Sequence, residues 1–83
     1  MLTMQERIRQ VLAAHGRMAA DPLDIDSGAD LYEQGLTSHA SVNVMLALED
    51  EFGVEFPDDA MKKATFASIA SIERVLSDLT PEA

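Results

Sequence analysis

Apolar residues recur along this chain at helical rather than strand spacing. Met4, Ile8, Val11, Leu12 and His15 step by three or four and share one face, with Thr3 placed to cap the helix and Gly16 to stop it. From Arg17 to Thr37 the period is lost. Asp, Gly and Pro dominate there, and Leu23, Ile25, Leu31, Tyr32 and Leu36 are the residues available to pin so long a connection to a core; one helical turn is expected around Asp30–Gln34. Ser38 to Phe52 resumes the helical period, with Val44, Leu48, Ser41, Phe52 and Met45 inside an arc of about 100° and Gly53 closing it. Pro57 pushes Phe56 out of helical geometry, so the chain breaks before a turn or two at Asp58–Lys63. Thr65 is the expected cap of a last helix carried by Phe66, Ile69, Ile72, Leu76 and Leu79 and ended by Pro81. No segment alternates as a strand does, and no repeat appears. The predicted fold is all-α: a small bundle of three main helices plus one short helix, with a long first loop, residues 1–83 forming a single domain.

With 83 residues, such a bundle supports one modest core and has little room for an enclosed active site. The chain has no cysteine, which removes disulfides, thiolate metal sites and cysteine nucleophiles together and fits a reducing compartment such as the cytoplasm. The opening Met-Leu-Thr-Met-Gln-Glu-Arg is not expected to act as a signal peptide, and no apolar run is long enough to span a membrane.

The net charge of −9 is unevenly placed. Residues 1–20 set Glu6 against Arg7, Arg9 and Arg17, whereas residues 21–60 hold eleven acids and no base. Lys62, Lys63 and Arg74 then balance Glu73, Asp78 and Glu82. An acidic middle repels phosphate backbones and anionic lipid, which argues against nucleic acid and membranes as partners, and it speeds encounter with basic protein surfaces. Within this acidic half, however, Thr37 to Leu48 contains no charged residue with His39 neutral. On a helical wheel Val42 flanks the core stripe, and Leu46 and His39 lie further round, forming a second ridge. Either the long loop covers that ridge, or it is a docking surface, uncharged at its centre and acidic at its rim.

Gly35-Leu36-Thr37-Ser38 ends the loop and opens the second helix. A hydroxyl at this mouth has two uses. It can cap the helix, as either Thr37 or Ser38 would, or it can carry a group whose negative charge the first-turn amides favour. Hydrolysis is poorly supported, since His39 points about 100° away from Ser38 on the helix and His15 ends another one. Calcium binding at Asp24 fails on register: Gly28 stands where the fifth loop residue should be an acid, and Gly35 where the twelfth should be Glu. Asp58 and Asp59 read as a first-turn charge pair, and the methionines as core filler, apart from Met61 near the break.

Taken together, the long first loop, Gly-Leu-Thr-Ser, a helix ending Leu-Glu-Asp-Glu-Phe-Gly, then Val-Glu-Phe-Pro-Asp and a last helix led by Thr-Phe resemble the acyl carrier protein family over roughly residues 4 to 79. The resemblance implies that Ser38 receives a 4′-phosphopantetheine arm from coenzyme A through a phosphopantetheinyl transferase, and that the arm's thiol carries cargo as a thioester. It further implies that Thr37, His39, Val42, Asn43 and Leu46 present the surface partners read, and that Phe56 and Met61 border the arm. Thr37 and His39 replace the family's usual Asp and Leu around the serine, and Ala40 and Asn43 stand where carriers of fatty-acid synthesis hold acids. Gly-Leu-Thr-Ser-His-Ala-Ser-Val with the later Phe-Pro-Asp is more similar to stand-alone bacterial aminoacyl carrier proteins. Those imply an amino acid:carrier protein ligase resembling seryl-tRNA synthetase, a downstream acyl or aminoacyl acceptor enzyme, and no catalysis by the carrier itself. Monomer is the expectation for a tether that visits several enzymes. The alternatives are a fatty-acid or polyketide carrier, or an acidic interaction module without a prosthetic group.

Overall fold

The computed structural model describes residues 3–19 and 21–80. Its helices are α1 (Met4–His15), α2 (Ser38–Phe52) and α3 (Ile69–Leu79), with 3-10 turns at Asp58–Ala60 and Lys63–Phe66 between the last two. No strand occurs among the described residues. The short fourth helix expected at Asp58–Lys63 is therefore two separate turns, with Met61 and Lys62 between them.

The helices form because each apolar stripe closes on the others. Ile8 and Leu12 from α1, Val44 and Leu48 from α2, and Ile69, Ile72 and Leu76 from α3 are all fully covered. Each such side chain contributes about 1.5–3 kcal/mol relative to exposure. His15, at the end of the α1 face, is exposed. Phe56 and Phe66 fill the space left by the break after α2, their ring centres 5.7 Å apart.

The helix ends follow local chemistry. Thr3 Oγ1 accepts the Glu6 amide at 3.1 Å while Glu6 Oε1 accepts the Thr3 amide at 2.9 Å, a reciprocal capping box. Hydrogen bonding from Thr3, its backbone amide first and its side-chain hydroxyl second, holds the Glu6 carboxyl below its ordinary range. α2 ends in acids at the negative pole of its dipole, an unfavourable arrangement that Arg7 relieves. Its Nε meets Glu51 Oε2 at 2.9 Å, its Nη2 donates to the Glu51 carbonyl at 2.8 Å, and its guanidinium lies 4.2 Å over the Phe52 ring. The final helix corrects the expected boundary: Thr65 is buried inside the second 3-10 turn, and Ser68 caps α3 by accepting the Ser71 amide. Tucking Phe66 into the core requires that tighter turn, so α3 starts three residues later than the apolar spacing suggests. Thr80 is extended, as a residue before proline should be, while Pro81 and Met1 lie outside the described residues.

The first loop is ordered by its own acids. Asp21, Asp26 and Asp30 each accept the amide two residues on, at 3.0, 2.9 and 2.9 Å. Arg9 Nη1 donates to the Pro22 and Ile25 carbonyls, fixing the loop to α1. Leu31 and Leu36 are buried and Ile25 and Tyr32 partly so, but Leu23 is 54% exposed. The chain turns at Asp21–Asp24, which puts Pro22 inward and Leu23 outward. The Asp30–Gln34 turn is present, with the Gln34 amide donating to Asp30 at 3.2 Å. Further on, Leu31 donates to Ala67 and Ala70 donates to Ser27, which stitches the loop to the start of α3.

Candidate functional site: the mouth of helix α2 and its cleft

Three successive residues set this site. Gly35 has a φ of 111°, and it lies where the loop crosses itself: the Ala19 amide donates to Gln34 at 3.1 Å. Leu36 then drops into the core, 3% exposed. Thr37, extended at φ −95° and ψ 162°, turns its hydroxyl back to accept the Ala40 amide at 3.0 Å. Thr37 is thus the N-cap, which settles the choice between the two hydroxyls. Ser38 is exposed, and its Oγ enters no hydrogen bond among the described residues. The serine is held by its backbone, whose carbonyl accepts Ser41 Oγ at 2.7 Å, while the side chain stays free at the electropositive helix tip.

The uncharged ridge is bare. Val42 is 51% and Leu46 54% exposed, so the loop does not cover them; His39, Asn43 and Thr37 are exposed beside them. Ala40, by contrast, is buried at 5%, because it lies beneath the Thr37 cap and faces the core.

A cleft of about 260 Å³ opens next to Ser38, between α2 and the second 3-10 turn. Val42, Met45 and Met61 line it with Tyr32, Phe66 and the two lysines 62 and 63. Met61 is 47% exposed at its edge. Phe56 is corrected: it is 3% exposed and does not line the cleft, because its ring packs behind Phe66 and supports the wall from within. Tyr32 does line it. Its hydroxyl donates to the Lys63 carbonyl at 3.2 Å, and Lys63 Nζ sits 5.0 Å over its ring. Burial pushes the Tyr32 phenol above its ordinary value, opposed by the Ser41 hydroxyl and reinforced by the Asp30 carboxylate. Local spacing marks Tyr32 only as a loop anchor and gives Lys62 and Lys63 no place at the site. The signal in the sequence for the lysines is their position as the first Lys or Arg after the forty-four residues 18–61. On the far side of the helix mouth, Arg17 faces Thr37, His39 and Asn43 across a second hollow.

This is the architecture of an acyl-carrier-type protein: three helices, a long ordered loop, and a free hydroxyl at the mouth of the second helix. Residues 5–76 match the family described as a phosphopantetheine attachment site. An aminoacyl carrier protein of Agrobacterium fabrum is 44% identical over 70 residues, 84% of each chain. An acyl carrier protein of Zymomonas mobilis is 33% identical over 58 residues, 70% of this chain and 73% of that one. The fold matches, with a TM-score of 0.86 and 42% identity, a chain in the crystal structure of an engineered Bradyrhizobium japonicum glycine:carrier protein ligase complexed with a carrier protein from Agrobacterium tumefaciens and AMP; the match covers 89% of this chain and 99% of that one. The protein belongs to the phosphopantetheine-binding carrier family, and its prosthetic group is covalent 4′-phosphopantetheine. The site suits that group: an accessible hydroxyl, helix-tip amides for a phosphodiester, and an adjoining apolar cleft with two cations.

Proposed function

We propose that this protein is an aminoacyl carrier: Ser38 holds the phosphopantetheine arm, and a small amino acid, glycine foremost, is loaded onto it by an amino acid:carrier protein ligase. The arm supplies a thiol on which the cargo rides as a thioester. This chain's own residues anchor, orient and present it. The observation that carries the reading is the division of labour at the helix mouth, where Thr37 does the capping and leaves the Ser38 hydroxyl exposed and unengaged. The amides of the first turn favour the phosphodiester by about 0.3–1 kcal/mol. Supporting the aminoacyl assignment are the similarity to the Agrobacterium relative, the ligase found with the structural neighbour, and the lack of charge from Thr37 to Leu48.

Catalysis lies with partners: a phosphopantetheinyl transferase that attaches the arm, the ligase, and an acceptor enzyme downstream. Thr37, His39, Val42, Asn43 and Leu46 form the face these partners read, with Met61 at its margin. Contacts at its uncharged centre are weakly salt-dependent, while encounter rates set by the acidic surround fall as salt rises. Tethering gives the cargo a high effective concentration at each docked enzyme.

The test is co-expression with a broad-specificity phosphopantetheinyl transferase, followed by intact mass. A gain of one phosphopantetheine that Ser38→Ala abolishes is expected; an unchanged mass, under conditions that modify a control carrier, refutes the reading and favours a plain interaction module. The modified protein is then offered glycine, ATP and a glycine:carrier protein ligase or, separately, fatty-acid loading enzymes. Loading by the fatty-acid enzymes alone would overturn the aminoacyl assignment.

A further inference from the structure

The cleft beside Ser38 is asymmetric in charge. No carboxylate lines it, although the protein carries fifteen acids, and two of the chain's six Lys and Arg residues stand on one wall. Lys63 is directed there by its seat over the Tyr32 ring, 5.0 Å from its centre. Among the described residues neither lysine joins an ion pair. Asp59 lies in the hollow on the other side of Lys62, and Asp30 lies beyond Tyr32; neither faces the cleft itself. The remaining lining is Val42, Met45, Met61 and Phe66, with the serines at the mouth. A group entering here leaves water for an apolar wall and meets positive charge, with the helix tip adding to the same sign.

We propose that this cleft filters cargo by charge: neutral or anionic acyl groups carried from Ser38 are drawn into it, and the α-ammonium of an aminoacyl group is turned away, Lys62 and Lys63 providing the repulsion. An aminoacyl cargo stays in solvent, where a docked acceptor reaches it, and an acyl group of the wrong kind is withheld. The inference rests on Ser38 being the attachment point.

An isosteric set tests it. Coenzyme A analogues with a terminal amine carry glycyl, propionyl or malonyl groups in stable amide linkage, and a phosphopantetheinyl transferase attaches them to the isotope-labelled protein. Glycyl and propionyl differ only by an ammonium in place of a methyl group. Relative to the unloaded arm, propionyl and malonyl should move the backbone amide resonances of Val42, Met45 and Met61 at least about threefold more than glycyl does. In the Lys62→Gln, Lys63→Gln double variant, glycyl should approach propionyl and the malonyl shifts should shrink. That variant separates the lysines from simple desolvation of an ammonium, and both residues are exposed, so α1 resonances should be unmoved. Equal glycyl and propionyl shifts in the native protein, or a double variant that leaves glycyl unchanged, would overturn the filter while the carrier assignment stands. A mass showing no attachment at Ser38 would overturn both.

Discussion

Gly35 and Gly53 both adopt positive φ, yet alanine should affect them very differently. Gly53 closes α2 at φ 65°, inside the left-handed region, and a Cβ there meets nothing within 4 Å. An L residue in that region costs about 1–2 kcal/mol, and the lower entropy of the unfolded chain returns about 0.4–1 kcal/mol. Gly53→Ala should therefore lose about 1 kcal/mol. Gly35 is at φ 111°, where L residues are rarely found, and its Cβ would lie 2.6 Å from the backbone nitrogen of Ala19. Strain of about 1–3 kcal/mol adds to the separation of two backbone segments joined by the Ala19–Gln34 hydrogen bond, worth about 0.5–1.5 kcal/mol. With the same return from the unfolded chain, Gly35→Ala should lose about 1–4 kcal/mol, centred about 1 kcal/mol or more above Gly53→Ala, against the roughly 4–12 kcal/mol open to a domain of this size. Urea unfolding followed by circular dichroism reads both differences, at about 4–8 °C of Tm per kcal/mol in a parallel thermal scan. If the two variants lose the same stability, the loop crossing does not hold the helix mouth in place, and the structural account of Ser38's position is wrong.

Leu46→Glu should weaken loading by the ligase while stability changes by no more than about 0.5 kcal/mol, because the side chain is more than half exposed; loss of the fold in a melt would put Leu46 in the core instead. At acid pH the α1 capping box should be measurable. The Glu6 carboxyl is held below its ordinary range in the folded chain, so its contribution is fully present above the unfolded value and is lost as pH falls through the folded one. Thr3→Ala removes the hydroxyl and keeps the backbone amide that is the larger cause, so it should raise the Glu6 pKa only part of the way towards its ordinary value in an NMR titration. A Glu6 pKa already at its ordinary value in the native protein would show the box to be absent in solution.

The acid-rich middle of the chain has more than one physical use. Asp21, Asp26 and Asp30 spend a carboxylate oxygen on loop amides, and Glu49 accepts the Phe56 amide at 2.9 Å to close the turn after α2. Glu51 binds Arg7. What composition presents as one block of negative charge thus divides into turn-forming groups and exposed groups such as Asp50, Glu55, Asp58 and Asp59 that set the surrounding field.

The sequence alone determined whatever depends on neighbours in the chain. Helical period placed Ile8, Leu12, Val44, Leu48, Ile72 and Leu76 inward and set Val42 and Leu46 off that stripe, and capping chemistry gave Thr3 and Gly53, while the exposure of the ridge and the choice of Thr37 over Ser38 as cap waited on the fold. Tertiary structure decided whatever depends on distant segments meeting. Local spacing cannot tell that Phe66 must be drawn into the core through a 3-10 turn before α3 begins, that Phe56 would stand behind it, or that Leu23 would yield its inward place to Pro22. The cleft joins Tyr32, Ser38 and Lys63, residues from a loop, a helix and a turn. Such a surface comes into being only when chain closure brings them together, and no periodicity in the sequence encodes that meeting.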